Sequence, residues 1–280
     1  MVQNTLAPPA RTTVLREKPE LARILTVANQ KGGVGKTTTA INLAASLSVM
    51  ERKTLLVDLD PQANATSGLG GTPGGDEERN IYRVLMGEVP VAEAIRETEL
   101  PFLSILPASS DLIGAEIELV PMERRERRLA EALAPVEGDY EVVVIDCPPS
   151  LGLLTVNALC AADSVVIPLQ CEYYALEGLS NLFRTIDRIR EGMNPALKIE
   201  GVVLTMFDSR NNLAHQVAQE AREILKDQVF QTVIPRNVRL SESPSHGKPA
   251  LLYAVSSRGA QSYLELAREM VSRWNEKATP

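Results

Sequence analysis

The string Gln30-Lys31-Gly32-Gly33-Val34-Gly35-Lys36-Thr37 follows the apolar run Ile24-Leu25-Thr26-Val27-Ala28 and precedes a helical pattern that continues to about Met50. A glycine-rich turn between a strand and a helix exposes consecutive backbone N–H groups. With the positive end of the helix dipole, these make a preorganised anion site. Gly32, Gly33 and Gly35 let the backbone approach phosphate oxygens without Cβ clashes. Lys36 is placed to reach β- and γ-phosphates, the Thr37 hydroxyl to ligate Mg2+, and Thr38 to bond the α-phosphate. A chance glycine turn would leave Gly-Lys-Thr-Thr at that junction without a reason.

The string departs from the common G-x-x-x-x-G-K-[ST] pattern at its start, where Gln30 replaces the first glycine and Lys31 follows directly. A second lysine at the mouth of a phosphate loop adds positive charge where Lys36 and a metal already serve. The same residue could equally be an exposed, solvated lysine, and spacing does not separate the two.

Beyond the loop, apolar runs and helical patterns alternate. Strands are expected at Thr54–Asp58, Leu103–Leu106, Glu141–Asp146, Ser164–Pro168, Gly201–Thr205 and Val229–Ile234, with helices notably over 176–191, 213–227 and 259–274. The continuous β-branched run at Val142–Ile145 implies burial on both faces. Gly68 to Arg79 reads as a surface loop. The alternation predicts one doubly wound α/β domain over 23–280 with a mostly parallel sheet. Residues 1–22, with three prolines and no lasting apolar period, read as a flexible arm. Aromatic residues are only 4% of the chain, so the core must be built from Val, Ile, Leu and Ala, which suits buried parallel strands.

A net charge of −7 argues against a surface that coats nucleic acid all round. Residues 201–280, however, carry ten Lys/Arg against eight Asp/Glu, which leaves room for a local basic face. Cys147, Cys160 and Cys171 form no C-x-x-C pair and read as small buried residues of a reduced, cytosolic protein. No apolar stretch is long enough to span a bilayer.

P-loop chemistry needs a carboxylate at the tip of a neighbouring strand to hold hydrated Mg2+. Asp146 ends the run Val142–Ile145. Asp58 and Asp60 close the second strand, and alternation puts both on the same side. One can support the metal shell while the other positions the attacking water. For a lone aspartate a strand-end turn former would be the better reading; three beside a phosphate loop favour chemistry.

Several stretches together resemble one family. The loop Asn29–Thr39 is similar to the deviant Walker A loop of ParA/Soj partitioning ATPases. So are Asp58-Leu59-Asp60-Pro61-Gln62-Ala63-Asn64-Ala65-Thr66 and Ile145-Asp146-Cys147-Pro148-Pro149-Ser150-Leu151-Gly152. Further matches are Gln170–Gly178 (QCEYYALEG) and Ile234–Glu242 (IPRNVRLSE). The resemblance covers about residues 23 to 274.

The resemblance implies ATP and Mg2+ as ligands, with the loop residues Lys31 to Thr38, Val34 included, around the phosphates. Lys31 looks like the signature lysine that crosses an ATP-sandwiched homodimer, and Gly32 the point where the two loops come closest. Asp60 resembles the residue that orients the hydrolytic water, and Asp146 the Walker B aspartate; Asp58 is assigned with Asp146 to the metal through water. Met206, Phe207, Pro235, Arg236 and Asn237 are similar to residues lining an adenine pocket. Arg210 and Arg239 fall where the family places DNA-binding arginines, with Lys248 and Arg222 as weaker candidates. The implied cycle is nonspecific binding of double-stranded DNA by the ATP dimer, reset by a ParB-type centromere-binding partner, on the nucleoid and without a membrane. Two other readings compete. A MinD-like membrane regulator needs a detachable amphipathic C-terminal helix, whereas Ala260 to Trp274 is expected to pack on the sheet. An iron-protein type of ATPase needs paired thiolates at a dimer axis.

Overall fold

A computed structural model describes residues 22–72, 78–172 and 175–278. The expected arm therefore lies, except for Ala22, outside the described residues, as do Tyr173 and Tyr174 of the quoted QCEYYALEG stretch. The strands are β1 (Arg23–Val27), β2 (Thr54–Asp58), β3 (Arg96–Glu97), β4 (Leu103–Leu106), β5 (Val142–Asp146), β6 (Ser164–Gln170), β7 (Lys198–Phe207) and β8 (Val229–Pro235). They join in one sheet of order β3-β4-β2-β5-β1-β6-β7-β8. Every pairing is parallel except β3 with β4.

Alternation along each strand sorts consecutive apolar residues onto opposite faces. Ile24, Leu55, Val57, Val143 and Ile145 enter a core covered by helices such as Leu153–Ala161 and Ala175–Gly192. Leu25, Val27, Leu56, Val142 and Val144 enter a second core with helices Lys36–Val49 and Arg258–Ala278. This is why the strands read as unbroken apolar runs: neither face meets water. The long C-terminal helix buries Tyr263, Leu266, Ala267, Met270 and Trp274, so its apolar stripe is spent on the sheet, as the sequence led us to expect. No helix among the described residues is long and apolar enough to cross a membrane.

The two borders of the sheet differ. At one, β3 pairs antiparallel with β4, a two-residue strand too short to leave a sequence pattern. At the other, the main-chain N–H groups of Gln231 and Thr232 on β8 donate to the Glu269 carboxylate at 2.8 and 2.9 Å. Glu269 is itself held by Arg273 Nη2 at 2.7 Å. Of the loop expected at 68–79, residues 73–77 lie outside the described residues, and Gly68 ends a helical turn, Asn64–Gly68.

β1 lies between β5 and β6, so the chain leaves its C-terminal end toward one side and later strands fill the other. Such a switch point opens a crevice beyond the strand tips.

Candidate nucleotide site

The loop after β1 adopts the backbone its glycines permit. Gly33 and Gly35 have φ of 73° and 88°, a left-handed region that costs an L side chain energy. Gly35 leads directly into helix Lys36–Val49. A Cβ at Gly32 or Gly33 would meet nothing within 4 Å, so this part of the backbone faces open space. Neighbouring strands hold the loop. Asn29 Nδ2 donates to the Pro168 carbonyl at 2.7 Å, and Asn29 Oδ1 accepts from Lys31 N at 3.0 Å. Thr205 Oγ1 donates to the carbonyl of buried Val34 at 2.8 Å.

The two lysines have different partners. Lys36, nearly buried, donates to the Lys31 main-chain carbonyl at 3.2 Å. Burial pulls its ammonium below the ordinary lysine range, against the attraction of Asp146, Cys147 and Asp60. Lys31 is half-exposed and forms an ion pair with Glu172 at 2.8 Å. Glu172 also accepts from the Gln170 amide.

The carboxylates divide as well. Asp146 is fully buried, and neither oxygen accepts a hydrogen bond of ordinary geometry. Burial raises its pKa well above the carboxylate range and the Asp58 charge adds to this, while the Thr37 hydroxyl and Lys36 favour the charged form. Asp58 is fully buried too, but its oxygens are engaged: Oδ1 accepts from Asp60 N at 3.2 Å, and Oδ2 from Thr66 N and Oγ1, both at 2.7 Å. Burial lifts its carboxyl to about 6 despite those donors. Asp60 Oδ1 accepts from Gln62 N at 2.9 Å.

A cavity of about 350 Å³ brings together Gly32, Gly33, Gly35, Lys36, Thr37, Thr38 and Asp60, with Gln62, Asn64, Pro149 and Met206. Asp58, fully buried, is not in its lining. A second cavity of about 480 Å³ is lined by Gly35, Thr38, Met206, Pro235, Arg236 and Asn237, joined by Thr205, Asp208, Ser241 and Tyr263 among others. Met206, with φ of 51°, contributes to both, as do Gly35 and Thr38, so the two cavities adjoin. Phe207 is not in either lining. It faces a groove beside His215, with ring centroids 5.0 Å apart, because consecutive residues at a strand end turn to opposite sides. Gln62, Asn64 and Pro149 were within reach of the sequence, inside the stretches that carried the resemblance. Thr205 and Tyr263 had no local signal, since only the fold brings them here.

The residues fit a Mg2+-bound nucleotide. The observation that decides this is the pair of orphaned Asp146 oxygens, since a buried carboxylate without donors needs positive charge beside it. Mg2+ takes one or two protein oxygens and completes its shell with water and phosphate. That matches Thr37 and Asp146, and no cage of three or more His, Cys, Asp or Glu occurs among the described residues. The cysteines do not gather: Cys147 and Cys171 are buried and Cys160 half-buried. Burial raises the Cys160 and Cys171 thiols to about 11.

Arg210, Arg239 and Lys248 are on the surface, each in an ion pair, with Asp208 at 2.9 Å, Glu242 at 2.8 Å and Glu99 at 3.0 Å respectively. Arg210 and Arg239 flank the larger cavity, since Asp208, Asn211, Asn237 and Ser241 all line it.

A family model described as an AAA domain matches residues 22–199. The chromosome partitioning protein ParA of Myxococcus xanthus is 58% identical over 92% of this chain and 91% of its own length. The sporulation initiation inhibitor protein Soj of Bacillus subtilis is 54% identical over 90% of this chain and 99% of its own. Among solved structures, cobyrinic acid a,c-diamide synthase from Mycobacterium smegmatis with bound ATP analog and magnesium superposes with a TM-score of 0.81. It shares 39% identity and covers 92% of this chain and 97% of that one. The cell division ATPase MinD of Pyrococcus furiosus gives a TM-score of 0.76 at 27% identity, over 90% of this chain and 100% of its own. With a phosphate loop, strand-tip carboxylates and a parallel sheet of this order, and with relatives of such identity over nearly their whole length, the chain belongs to the ParA/Soj family of chromosome-partitioning ATPases.

Proposed function

We propose that this chain is a DNA-segregation ATPase whose ATP-bound dimer holds DNA without regard to sequence and lets go after hydrolysis. The carrying observation is the orphaned, buried Asp146 carboxylate beside Lys36 and Thr37. That arrangement makes sense only with cationic charge and phosphate between them. Thr37 and Asp146 would hold Mg2+, which supplies positive charge at the β- and γ-phosphate oxygens. The glycine-loop N–H groups and Lys36 bind the phosphates, and Met206, Pro235, Arg236 and Asn237 enclose the base. Asp60 orients the attacking water, and Asp58 holds the Asp60 and Thr66 backbone in place.

Dimerisation is assigned to Lys31. It stands at the loop mouth outside both cavities, held by an exposed ion pair, and such pairs are worth only about 0–1 kcal/mol. It can therefore exchange Glu172 for a partner chain's phosphate at small cost. Arg210 and Arg239, with Lys248, contact DNA phosphates. A few such contacts per chain bind weakly and in a salt-sensitive way, so doubling them in a dimer makes DNA affinity depend on ATP. Slow turnover, acceleration by a ParB-type partner and residence on the nucleoid complete the reading.

The test is size measurement of the purified chain with ATP, with ADP and with added DNA, beside an Arg210→Glu/Arg239→Glu variant. The reading expects an ATP-specific dimer that binds DNA, and a variant that still dimerises but no longer binds it. A chain that stays monomeric with Mg2+-ATP would sink it.

A further inference from the structure

Each cation assigned to DNA is held by a carboxylate of the same chain, and the Arg210 pair is the most complete. Arg210 Nε donates to Asp208 Oδ1 at 3.0 Å, Nη2 to Oδ2 at 2.9 Å, and the Arg210 main-chain N to Oδ1 at 3.0 Å. The result is a local hook in which the Nε/Nη2 edge of the guanidinium is already taken. Carboxylate and phosphate compete for that same edge, since both present two oxygens in one plane. Asp208 remains ionised under all working conditions: hydrogen bonds from Arg210, with the charge of Arg236 nearby, hold its carboxyl at about 2. The Arg210 side chain is 87% exposed, and among the described residues Asp208 is what orders it. Asp208 also lines the cavity walled by Pro235 and Asn237, which puts the hook on the rim between nucleotide and DNA-facing surface.

We propose that Asp208 is an internal mask for Arg210, a built-in competitor that DNA phosphate must displace and that sets the affinity and salt sensitivity of the DNA face. The inference rests on the reading of Arg210 as a DNA contact. The mask is shallow, since an exposed ion pair competes by a factor of about two to five. That suits a surface required to release DNA on each cycle. Asp208 is a positioning residue: it acts through Arg210 and needs no contact with DNA.

The experiment measures binding of the Mg2+-ATP-loaded protein to a duplex of arbitrary sequence across a salt series. It compares wild type with Asp208→Asn, with Asp208→Ser, which keeps an acceptor for the Arg210 main-chain N–H, and with Asp187→Asn. Asp187 pairs with Arg190 on helix Ala175–Gly192, so that variant removes the same charge without freeing Arg210. We expect both Asp208 variants to bind about two- to five-fold more tightly than Asp187→Asn. The slope of log affinity against log salt should steepen by up to about one, as one more phosphate contact forms. The gain should vanish in Asp208→Asn/Arg210→Ala. Asp208 variants that match Asp187→Asn, or bind more weakly than wild type, overturn the mask. If Arg210→Glu in the wild-type background leaves DNA binding intact, the DNA reading of Arg210 fails, and the mask with it.

Discussion

Asp58 and Asp146 are register partners across the parallel β2–β5 ladder, each the last residue of its strand. Adjacent strands run about 4.8 Å apart, so the backbone itself fixes two buried acids side by side at the phosphate end of the sheet. Two carboxylates so placed cannot both ionise cheaply, and burial compounds the repulsion. Asp58 relieves its share with three donors from its own and the following segment. Asp146 has no main-chain donors of this kind, and only the Thr37 hydroxyl and the Lys36 charge favour its ionised form.

This pair gives a pH signature. The Asp58 carboxyl is raised from 3.8 to about 6 in the folded chain. Between those values the folded protein keeps a proton that the unfolded chain has lost. The Asp58 contribution to stability is therefore fully present below about pH 4 and is lost as pH rises through 6. Replacing Asp58 with Asn should remove that dependence. Urea unfolding of the nucleotide-free protein at steps from pH 4 to 7.5 should show the variant gaining on wild type by up to about 3 kcal/mol. A difference that stays flat over this range would refute the elevated value.

Thr66 should matter more than its position in a short helix suggests. Its hydroxyl donates to Asp58 and accepts from the Ala108 N–H at 3.0 Å. Thr66→Val keeps the shape and the main-chain donor to Asp58 Oδ2, but removes that oxygen's second donor and strands the Ala108 N–H. We expect a loss of about 1.5–3 kcal/mol in denaturant unfolding, with a further rise of the Asp58 pKa in an NMR carboxyl titration. An unchanged unfolding midpoint would mean that the Thr66 hydroxyl is dispensable.

Lys31 and Asp60 should separate binding, assembly and turnover. Lys31→Ala is expected to bind a fluorescent ATP analogue as a single chain yet fail to dimerise. Asp60→Ala should dimerise on ATP and stay dimeric, with hydrolysis reduced at least about 100-fold. Sedimentation with ATP distinguishes the two. A dimeric Lys31→Ala protein would remove the role assigned to that lysine.

Gly201 on β7 is under a purely steric constraint. A Cβ there would lie 2.6 Å from Phe230 Cε2 and 3.0 Å from the Gln228 carbonyl. Gly201→Ala should cost about 1–3 kcal/mol through overpacking, read as a lower urea midpoint. Nucleotide affinity of the folded fraction should be unaffected, because neither cavity includes this residue.

The sequence was most informative where local chemistry and global fold coincide. Thr54–Asp58 was recognisable as a strand to the residue, and Val142–Asp146 nearly so, because β-branched runs buried on both faces leave few alternatives. The sequence also picked out the glycine loop, Lys36 and Asp60, which the fold brings to one cavity. What stayed hidden depended on geometry across the chain. Met206 and Phe207 are adjacent and both apolar, and only the way β7 ends tells which one lines the cavities. That Asp58 is consumed by Thr66 required knowing how helix Asn64–Gly68 folds back. The Lys31–Glu172 and Arg210–Asp208 pairs involve ordinary surface charges, which no periodicity distinguishes from solvated ones.

The seal that Glu269 places on β8 also bears on how copies of this chain can meet. An edge strand with unpaired N–H groups is a template onto which another chain can zip. Here the donors of Gln231 and Thr232 are taken by a carboxylate anchored on Arg273, and the opposite border ends in the short antiparallel β3. A sheet with one border capped and the other only two residues long offers little edge on which to grow sideways. In the proposed cycle, association would then fall to the end of the molecule that carries the phosphate loop, where it could be made and unmade with each nucleotide.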